Sequence, residues 1–312
     1  MAKHLHLAII FKASNLNYGE SIGNILSLKK IASEGKNYSY ISRQALRYDI
    51  VRLLKESYGF EYAKPDNVGG NEIVIQFHKD SKIDQYPEID FFGYMKTEKK
   101  DKKKKESDEK TTEKTKTRKA VIRLTDATSM EAFNNDIDFG TNKGLADRLE
   151  DINGNNIFQS EIHKSYYAYT LTCSLDDIGE DPLDKISLPN IEKAKRMVAL
   201  CNVIKLLYRD IRGKRENLSP LFIIGGLYDC GNPFFYNRLK LEFKKEGNKI
   251  NSGMINDTLN MTMPPASSLV RDQTILGCVN GEFKNIDEIK IEAISIEAFF
   301  TELTTSIDQY YK

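Results

Sequence analysis

The sequence predicts an α+β fold, and three observations lead to that class. Short runs of β-branched and aromatic residues, typical of strands, alternate with two long stretches in which apolar residues recur every three or four positions. In chain order the core segments read strand, helix, strand, strand, helix, strand. This is the ferredoxin-like order, which RRM domains share. Large insertions separate the segments, so we expect a decorated version of that fold.

The first half of the chain supplies one strand and one helix of that core. The strand is predicted at His4–Phe11, and the small and polar residues of Ala13–Gly35 predict a loop after it. A helix should begin at Arg43, with Ser42 as its N-cap, and extend to about Glu56, because apolar residues recur there at helical spacing. The positions that define its core face are Leu46, Ile50, Leu53 and Leu54.

The remaining elements are a longer helix, a C-terminal helix and six strands. The longer helix is predicted at Ile191–Arg212, where Pro189-Asn190 supplies a start signal and Gly213 a stop signal. The C-terminal helix is expected from about Ile296. The strands are predicted at Glu72–Phe77, Ala120–Leu124, Tyr166–Cys173, Leu221–Ile224, Leu239–Phe243 and Ile289–Ile291.

Two insertions interrupt the core. Glu98–Lys119 has 11 basic and 6 acidic residues and no apolar residue, so it has nothing to bury and should be disordered. It can be a solvated loop, an electrostatic arm that follows a phosphate backbone, or both. Asp126–Ser165 is long for a connection and rich in turn residues. Because it carries apolar residues throughout, we expect it to form an ordered, projecting hairpin.

The composition is that of a soluble globular protein, with 40% hydrophobic and 29% charged residues. No run approaches the ~20 apolar residues of a membrane span, and the N-terminus does not resemble a secretory signal. The four cysteines are too far apart for a zinc or redox motif, which favours reduced thiols in the cytoplasm. Outside Glu98–Lys119 the chain holds 35 basic and 39 acidic residues. A nucleic-acid surface would therefore have to be a local stripe of Lys and Arg.

The sequence offers little for an enzyme. The nucleophile-elbow, Walker, zincin and Rossmann motifs are all absent. His4 and His6 could chelate a metal from one face of a strand, but no cysteine or carboxylate cluster lies beside them in the sequence. Three aspartates of the projecting hairpin could support metal-dependent phosphodiester chemistry, although they also suit a solvated loop: Asp126, Asp136 and Asp138. We expect no catalytic activity, no cofactor and no bound metal.

Residues suited to RNA binding are better represented. The loop after the first strand offers small and amide side chains for sugar and phosphate contacts, and Lys29 and Lys30 lie further on. The start of the first helix combines N-terminal N–H groups with the guanidinium groups of Arg43 and Arg47, which are four residues apart and share one side of the helix. The base-stacking signature of sequence-reading RRM domains is absent, so base stacking on that motif is not expected.

One string of residues resembles a known family. Tyr40–Tyr48 (YISRQALRY) is similar to the start of the first helix in the DevR-type backbone subunits of type I-B CRISPR Cascade complexes. Three further stretches agree with that family: Leu16-Asn17, Asp90–Met95 and Arg123–Ser129. The resemblance extends, more loosely, over nearly the whole chain.

The resemblance implies a single, right-hand-shaped domain over residues 1–312. An RRM-like palm would carry a finger region at about 57–119, including the Lys-rich insert at 98–119, and a thumb at about 126–165. Copies of such subunits stack along one CRISPR RNA, and each thumb displaces one base while the other bases pair with target DNA. The implied partners are the CRISPR RNA, copies of the chain, other Cascade subunits and target DNA, with no membrane.

The expected RNA contacts come from the loop after the first strand, the first helix, the thumb region and a glycine pair after the Leu221–Ile224 strand. They are Lys12, Ser14, Asn15, Asn17, Lys29, Lys30, Ser42, Arg43, Gln44, Arg47, Lys143, Lys164, Gly225 and Gly226. Two alternatives stay open. One is a metal-dependent, RNA-cleaving subunit like those of type III complexes, and the other is a free-standing RNA- or DNA-binding regulator.

Overall fold

The computed structural model describes residues 3–14, 17–69, 73–97, 115–148, 156–264 and 267–312. Within these ranges the protein is a mixed α+β fold with several sheets and six helices, which confirms the predicted class.

The helices and strands follow each other in three stretches. The first contains β1 (His4–Ala13), β2 (Tyr18–Ile22), β3 (Ile25–Leu28), β4 (Lys30–Ser33), β5 (Lys36–Ile41), α1 (Arg43–Tyr58), β6 (Pro65–Asn67), β7 (Ile75–Phe77), α2 (Pro87–Phe92), β8 (Tyr94–Thr97) and β9 (Thr115–Arg118). The second contains β10 (Ile122–Leu124), β11 (Ala127–Ser129), β12 (Asp136–Thr141), α3 (Lys143–Ala146), β13 (Ile157–Ile162), β14 (Ser165–Ser174), β15 (Glu180–Asp181), β16 (Ile186–Ser187) and α4 (Asn190–Lys205). The third contains β17 (Tyr208–Ile211), β18 (Lys214–Asn217), β19 (Phe222–Tyr228), β20 (Leu241–Glu242), β21 (Lys249–Ile250), α5 (Ser252–Leu259), β22 (Thr262–Met263), β23 (Ser268–Leu269), β24 (Ile275–Cys278), β25 (Ala293–Ile294) and α6 (Ile296–Tyr310).

The main sheet is built around β1. Its strands lie in the order β25-β24-β19-β1-β14-β11-β5-β4, and β10 also pairs with β14. β1 and β14 are antiparallel in continuous register from His4 opposite Ser174 to Ala13 opposite Ser165. β19 is antiparallel to the other edge of β1. The pairs around β1 are therefore β19–β1, β1–β14 and β14–β10, with β11 beside β10 along the same edge of β14.

Both faces of β1 are covered, which explains its almost continuous run of apolar residues. Leu5, Leu7, Ile9 and Phe11 enter a core cluster shared with residues of α1, α4 and α6. Ala8 and Ile10 enter a second cluster on the opposite face, which is formed with residues of α5 and of the C-terminal region. The main sheet thus separates a layer formed by α1, α4 and α6 from a second layer that contains α5.

α1 forms as predicted, whereas α4 is shorter than predicted. The hydroxyl of Ser42 accepts a hydrogen bond from the Ala45 N–H at 3.3 Å, and Gly59 ends α1 in the left-handed conformation. α4 ends at Lys205, and the chain then turns back as the β17–β18 hairpin. Arg212 and Gly213 occupy its turn with φ of 49° and 76°. A two-residue turn with both φ values positive matches the twist of a hairpin and would break a helix.

A second sheet joins the predicted hairpin to the segment after β1. Its strand order is β12-β13-β3-β2, with β13 parallel to β3. The ordered hairpin in Asp126–Ser165 is therefore confirmed as β12–β13. The prediction of a loop at Ala13–Gly35 is wrong, because β2, β3 and β4 lie within it. Turn residues at Gly23-Asn24 divide these strands into pieces too short to show an alternating pattern.

The structure describes only the last five residues of the predicted Lys-rich insert, Glu98–Lys119. Residues 98–114 lie outside the described residues. Thr115–Arg118, expected to belong to the disordered segment, instead form β9, which is antiparallel to β8. The Arg118 guanidinium donates to the Asp90 carboxylate at 2.9 Å, and Asp90 also pairs with Arg196 at 2.9 Å. This buried ion network explains why a polar segment is ordered there.

Three strand predictions need correction, and three helices were missed. Glu72 lies outside the described residues, and of the strand predicted at Glu72–Phe77 the structure forms Ile75–Phe77. The strand predicted at Leu239–Phe243 is limited to Leu241–Glu242. Ile289–Ile291 is not a strand, since pairing begins only at Ala293, after a short 3₁₀ turn. Helices α2, α3 and α5 were not predicted. α6 begins at the expected Ile296. No helix in the described ranges is long and apolar enough to cross a membrane.

Candidate nucleic-acid interface

The end of β1 opens onto a cleft that contains three of the predicted contacts. Lys12, Ser14 and Lys164 line it together with Glu216 and Asn217 of β18. Lys12 and Lys164 are exposed, and the Lys12 ammonium lies 4.8 Å from the centre of the Tyr166 ring. The pairing of Ala13 with Ser165 brings the two lysines to the same end of the sheet. Two cations are therefore available to a ligand in this cleft.

Ser14 has a structural contact inside that cleft. Its N–H and its hydroxyl both donate to the Glu216 carboxylate, at 3.1 and 2.9 Å. These hydrogen bonds tie the end of β1 to the β17–β18 hairpin. The next predicted contact, Asn15, lies outside the described residues.

The N-terminus of α1 is already capped by protein groups. The Asn17 amide donates to the Ser42 hydroxyl at 3.2 Å, and the Arg43 N–H donates to the Asp126 carboxylate at 2.7 Å. Asn17 is buried. The prediction of an open phosphate site at these N–H groups is therefore wrong, since an acidic side chain occupies it. The Arg43 and Gln44 side chains remain exposed.

Arg47 differs from Arg43 in its surroundings. Its guanidinium donates to the Glu88 carboxylate at 3.0 Å and lies 4.9 Å from the centre of the Phe92 ring. The Arg47 side chain is 34% exposed and joins α1 to α2. The shared phosphate site predicted from the four-residue spacing is not formed, because the charge of Arg47 is already balanced.

Lys29 and Lys30 also have different environments. The Lys30 ammonium forms an ion pair with Glu161 at 2.6 Å and lies 4.4 Å from the centre of the Phe133 ring. Glu161 also accepts from the Leu28 N–H at 2.7 Å. Lys30 thus fastens the segment between β3 and β4 to the base of the β12–β13 hairpin. Lys29 is half-buried and has no carboxylate within ion-pair distance among the described residues.

Gly225 and Gly226 lie in a strand of the main sheet and not in the predicted glycine-rich loop. Both are buried within β19, between β1 and the residues leading into β24. A Cβ at Gly225 would overlap the carbonyl oxygen of His6, and one at Gly226 would overlap that of Gln273. The two glycines are needed for the close approach of neighbouring backbone in the sheet. The prediction that they form an RNA-binding loop is wrong.

The β12–β13 hairpin presents an apolar face to solvent, which we call the hairpin patch. It consists of Ile137, Phe139 and Ile157, which are 42%, 57% and 45% exposed. Phe139 lies two residues from Thr141, whose cross-strand partner is Ile157, so the three side chains point to the same side of the hairpin. Exposed Lys143 lies beyond β12, in the short helix α3.

The base of this hairpin is fixed to the main sheet by buried polar groups. The Ser39 hydroxyl lies 2.6 Å from Nδ1 of His163 and 2.8 Å from the Tyr167 hydroxyl, which also donates to the His163 carbonyl at 3.1 Å. Burial lowers the pKa of His163 below its usual value. Burial also raises the pKa of Tyr167 to about 12. Both side chains are therefore neutral near pH 7.

The aspartates considered for metal chemistry do not come together with other ligands. Asp126 caps α1, while Asp136 and Asp138 lie on β12, where Asp136 accepts from the Ile137 N–H at 3.0 Å. Across the described part of the chain, no group of three His, Cys, Asp or Glu residues is arranged to hold a metal ion. His6 is buried, and its Nε2 accepts from the Phe235 N–H at 3.2 Å. His6 therefore packs in the core.

One side chain near the predicted contacts was not anticipated. The Arg212 guanidinium lies 5.4 Å from the centre of the Tyr18 ring and 5.8 Å from that of the Phe158 ring. The sequence carries a signal for its position, because Gly213 suits a hairpin turn. That signal was overridden by the helical spacing of Leu207, Tyr208 and Ile211.

Comparisons with known proteins give a consistent result. The profile of the family described as "CRISPR-associated negative auto-regulator DevR/Csa2" matches residues 5–243. A chain of a "CRISPR RNA-guided surveillance complex, pre-nicking" is similar in structure, with a TM-score of 0.57 at 10% identity over 96% of this chain and 100% of that one. A chain of a "CRISPR RNA-guided surveillance complex" gives a TM-score of 0.54 at 12% identity over 96% and 99%. At such identities the likeness concerns the fold. A search of curated proteins finds no significant match.

Proposed function

The chain belongs to the DevR/Csa2 family of CRISPR-associated proteins, and from this we propose that it is a non-catalytic backbone subunit that binds CRISPR RNA in a type I-B Cascade complex. The observation that carries the proposal is the surface around the end of β1. Ser14 lies in a cleft with two exposed lysines, Asn17 contacts Ser42 beside the exposed Arg43, and β2 belongs to the same sheet as the hairpin with the apolar face. Phosphate binding and base displacement need these two kinds of surface.

The inner strands support a ferredoxin-like palm. Their order, β19-β1-β14-β10, combined with α1 and α4 in one layer, is that expected of the strand–helix–strand–strand–helix–strand arrangement. In this proposal the whole chain is one domain. Residues 57–119 are its fingers, and residues 126–165 are its thumb.

The proposed guide contacts are side chains with no carboxylate partner among the described residues, and all of them except the half-buried Lys29 are exposed. Long, exposed, positively charged side chains attract phosphate whatever the base sequence, so that recognition is left to base pairing. Gln44 adds an exposed amide donor beside Arg43. Other predicted contacts act by holding this surface in place: Ser14, Asn17, Lys30, Ser42 and Arg47. The proposed contacts themselves are Lys12, Lys29, Arg43, Gln44, Lys143 and Lys164.

The hairpin patch suits the proposed thumb. Three aliphatic or aromatic side chains on one face of a two-stranded hairpin can enter a base stack and replace a base–base contact. Buried anchors at the hairpin base resist bending during that insertion. Each copy would then displace one base, and the bases between copies would remain free for pairing with target DNA.

Assembly along RNA tests the proposal. The purified chain is mixed with single-stranded RNAs of increasing length, and the mass of each complex is measured by light scattering after size exclusion. A backbone subunit should bind in copy numbers that increase with RNA length. A fixed stoichiometry at every length would favour a free-standing regulator, to which the word "auto-regulator" in the family description points.

Catalysis is tested on the same complexes. The guide-loaded assembly is incubated with complementary RNA and magnesium, and the products are resolved on a denaturing gel. An intact target is expected. Periodic cleavage that disappears in an Asp136→Ala or Asp138→Ala variant would instead assign the chain to the metal-dependent, RNA-cleaving class.

A further inference from the structure

The turn of the β17–β18 hairpin places an arginine where the backbone does not favour one. Arg212 has φ of 49°, in the left-handed region, and Gly213 follows with φ of 76°. Turns of this kind prefer asparagine, aspartate and glycine, because a longer side chain is strained there. An arginine in this conformation needs side-chain contacts that offset the backbone strain.

The guanidinium of Arg212 has such contacts on the second sheet. It lies over the rings of Tyr18 and Phe158, which belong to β2 and β13. Both rings are themselves held. The Tyr18 hydroxyl donates to the Glu161 carbonyl at 3.3 Å, and the Phe158 ring fills the space above Gly140, where a Cβ could not fit. The rings therefore fix the direction of the guanidinium through cation–π contacts.

The charge of Arg212 is not balanced by a carboxylate. Among the described residues no acidic group lies within 4.0 Å of it, and its side chain is exposed. On the same hairpin, Arg215 forms two hydrogen bonds with Asp210, at 2.7 and 2.8 Å. A guanidinium that contacts rings through its flat face keeps N–H donors at its edge, where a phosphate can bind in bidentate fashion.

The hairpin also connects Arg212 to the lysine cleft. Glu216, four residues after Arg212, accepts both hydrogen bonds from Ser14 and lines the cleft with Lys12 and Lys164. At about 3.3 Å per residue along a strand, Arg212 and Glu216 are separated by about 13 Å. The hairpin thus connects the cleft, which Lys12 and Lys164 share with Glu216 and Glu282, to the sheet that carries the hairpin patch.

We propose that Arg212 is a phosphate-binding residue for a single-stranded RNA. Tyr18 and Phe158 orient its guanidinium, and it lies between the cleft lined by Lys12 and Lys164 and the second sheet. This inference rests on the proposed function, because the strand it serves is the guide. The bound group is a backbone phosphodiester. Binding at Arg212 therefore depends on salt and not on base sequence.

The experiment compares two arginines of one hairpin. The RNA affinities of the wild type, Arg212→Gln and Arg215→Gln are measured by fluorescence anisotropy across a range of salt concentrations. Each phosphate contact in a single strand contributes ~0.7 to the slope of log affinity against log salt. Arg212→Gln should reduce the slope by ~0.7 and weaken binding, whereas Arg215→Gln, which removes an equal charge, should leave the slope unchanged.

Arg212→Gly separates binding from folding. Glycine relieves the strained turn, so this variant should melt at or above the wild-type temperature and still lose the same part of the slope. If the wild type binds RNA and neither Arg212 variant changes the slope, the inference is wrong and the proposed function stands. If affinity falls in both without a change of slope, Arg212 only supports the sheet. If the wild type does not bind RNA at all, the proposed function fails first.

Discussion

Arg43 and Arg47 illustrate what decides function at the scale of a residue. Both belong to the string that resembles the CRISPR family, and both were expected to bind phosphate. Arg43 is exposed, and its side chain has no carboxylate partner in the part of the chain that the structure describes, whereas Arg47 is paired with Glu88 and stacked on Phe92. Their spacing along the helix was correctly interpreted. The two arginines differ in their surroundings, because the partners of Arg47 belong to α2, more than 40 residues later in the chain.

Single substitutions should therefore separate the two arginines. Arg43→Ala should reduce the slope of log RNA affinity against log salt by ~0.7, with an unchanged melting temperature. Arg47→Ala should leave the slope nearly unchanged and cost at most about 1 kcal/mol of folding stability, because the pair is a third exposed. Anisotropy titrations and thermal melts measure both quantities. Equal slope changes in the two variants would contradict this assignment.

The residues that were predicted correctly are those governed by local chemistry. Ser42 caps α1 as predicted, because capping depends on a few neighbouring positions, whereas RNA contact by Lys12 and Lys164 stays a prediction. The strand position of Gly225 was missed, because its need for a small side chain arises from β1, more than 200 residues away in the sequence. The role of Asp126 in capping α1 was not predicted either, since the N–H that it accepts from lies 83 residues earlier.

At the scale of elements, β9 shows how a charged segment becomes ordered. Its side chain Arg118 donates to the Asp90 carboxylate and to the carbonyl groups of Asp177 and Glu180. The network is buried, and Arg196 completes it. Sequence composition describes the average of a segment, whereas one arginine in a favourable position was enough to fix four residues.

Removing that arginine should destabilise the fold. Arg118→Ala leaves the buried Asp90 carboxylate with one cation fewer, and we expect a loss of about 3 kcal/mol in the free energy of unfolding. Lys116→Ala in the same strand is the matched control. Its ion pair with Asp184 is half exposed, so the loss should stay within about 1 kcal/mol. Chemical denaturation measures both, and similar losses would show that the network contributes little.

The hairpin base should respond to pH. Burial lowers the pKa of His163, so the folded protein takes up a proton there less readily than the unfolded chain does. Stability is therefore full above the unfolded pKa of about 6.5 and decreases as the pH falls below it. His163→Asn should weaken this dependence between pH 7.5 and 5. Part of the pH dependence should remain in this variant, because burial also lowers the pKa of His6, to about 4.

Thermal melts at several pH values, combined with hydrogen exchange of β12 and β13, measure this effect. The wild-type hairpin should exchange faster at pH 5 than intrinsic rates predict, and the variant should not show that increase. An equal loss of stability in both proteins on acidification would exclude His163 as the source.

The end of α4 shows why element boundaries were harder to predict than element types. Tyr208 and Ile211, three residues apart, continue the helical spacing of α4, although both lie in β17. Contacts with residues that are distant in sequence favour the hairpin. Ser14 donates a hydrogen bond to Glu216 of β18, and the rings of Tyr18 and Phe158 contact Arg212 in the turn. The α+β class could be predicted because it depends on many elements together.

At the scale of the whole molecule, the hairpin patch and the cationic surface should act together. Phe139→Ser removes an aromatic side chain that is 57% exposed, so the melting temperature should change little. Guide binding should persist through the phosphate contacts. The periodic displacement of bases should be lost, which a fluorescent base analogue placed along the RNA reports.

The matched control for this experiment is Leu145→Ser in the short helix α3, which is also exposed but lies outside the hairpin strands. It should retain the periodic signal. If Phe139→Ser leaves the pattern of the base analogue intact, the patch does not enter the base stack.

The bare hairpin patch also determines how the chain behaves when no nucleic acid covers it. Raising the ionic strength strips RNA from the lysines and arginines, and the same salt strengthens the attraction between uncovered hydrocarbon surfaces. A high-salt wash that removes RNA from the protein should therefore also lower the solubility of the protein. Producing the chain together with its guide avoids that conflict.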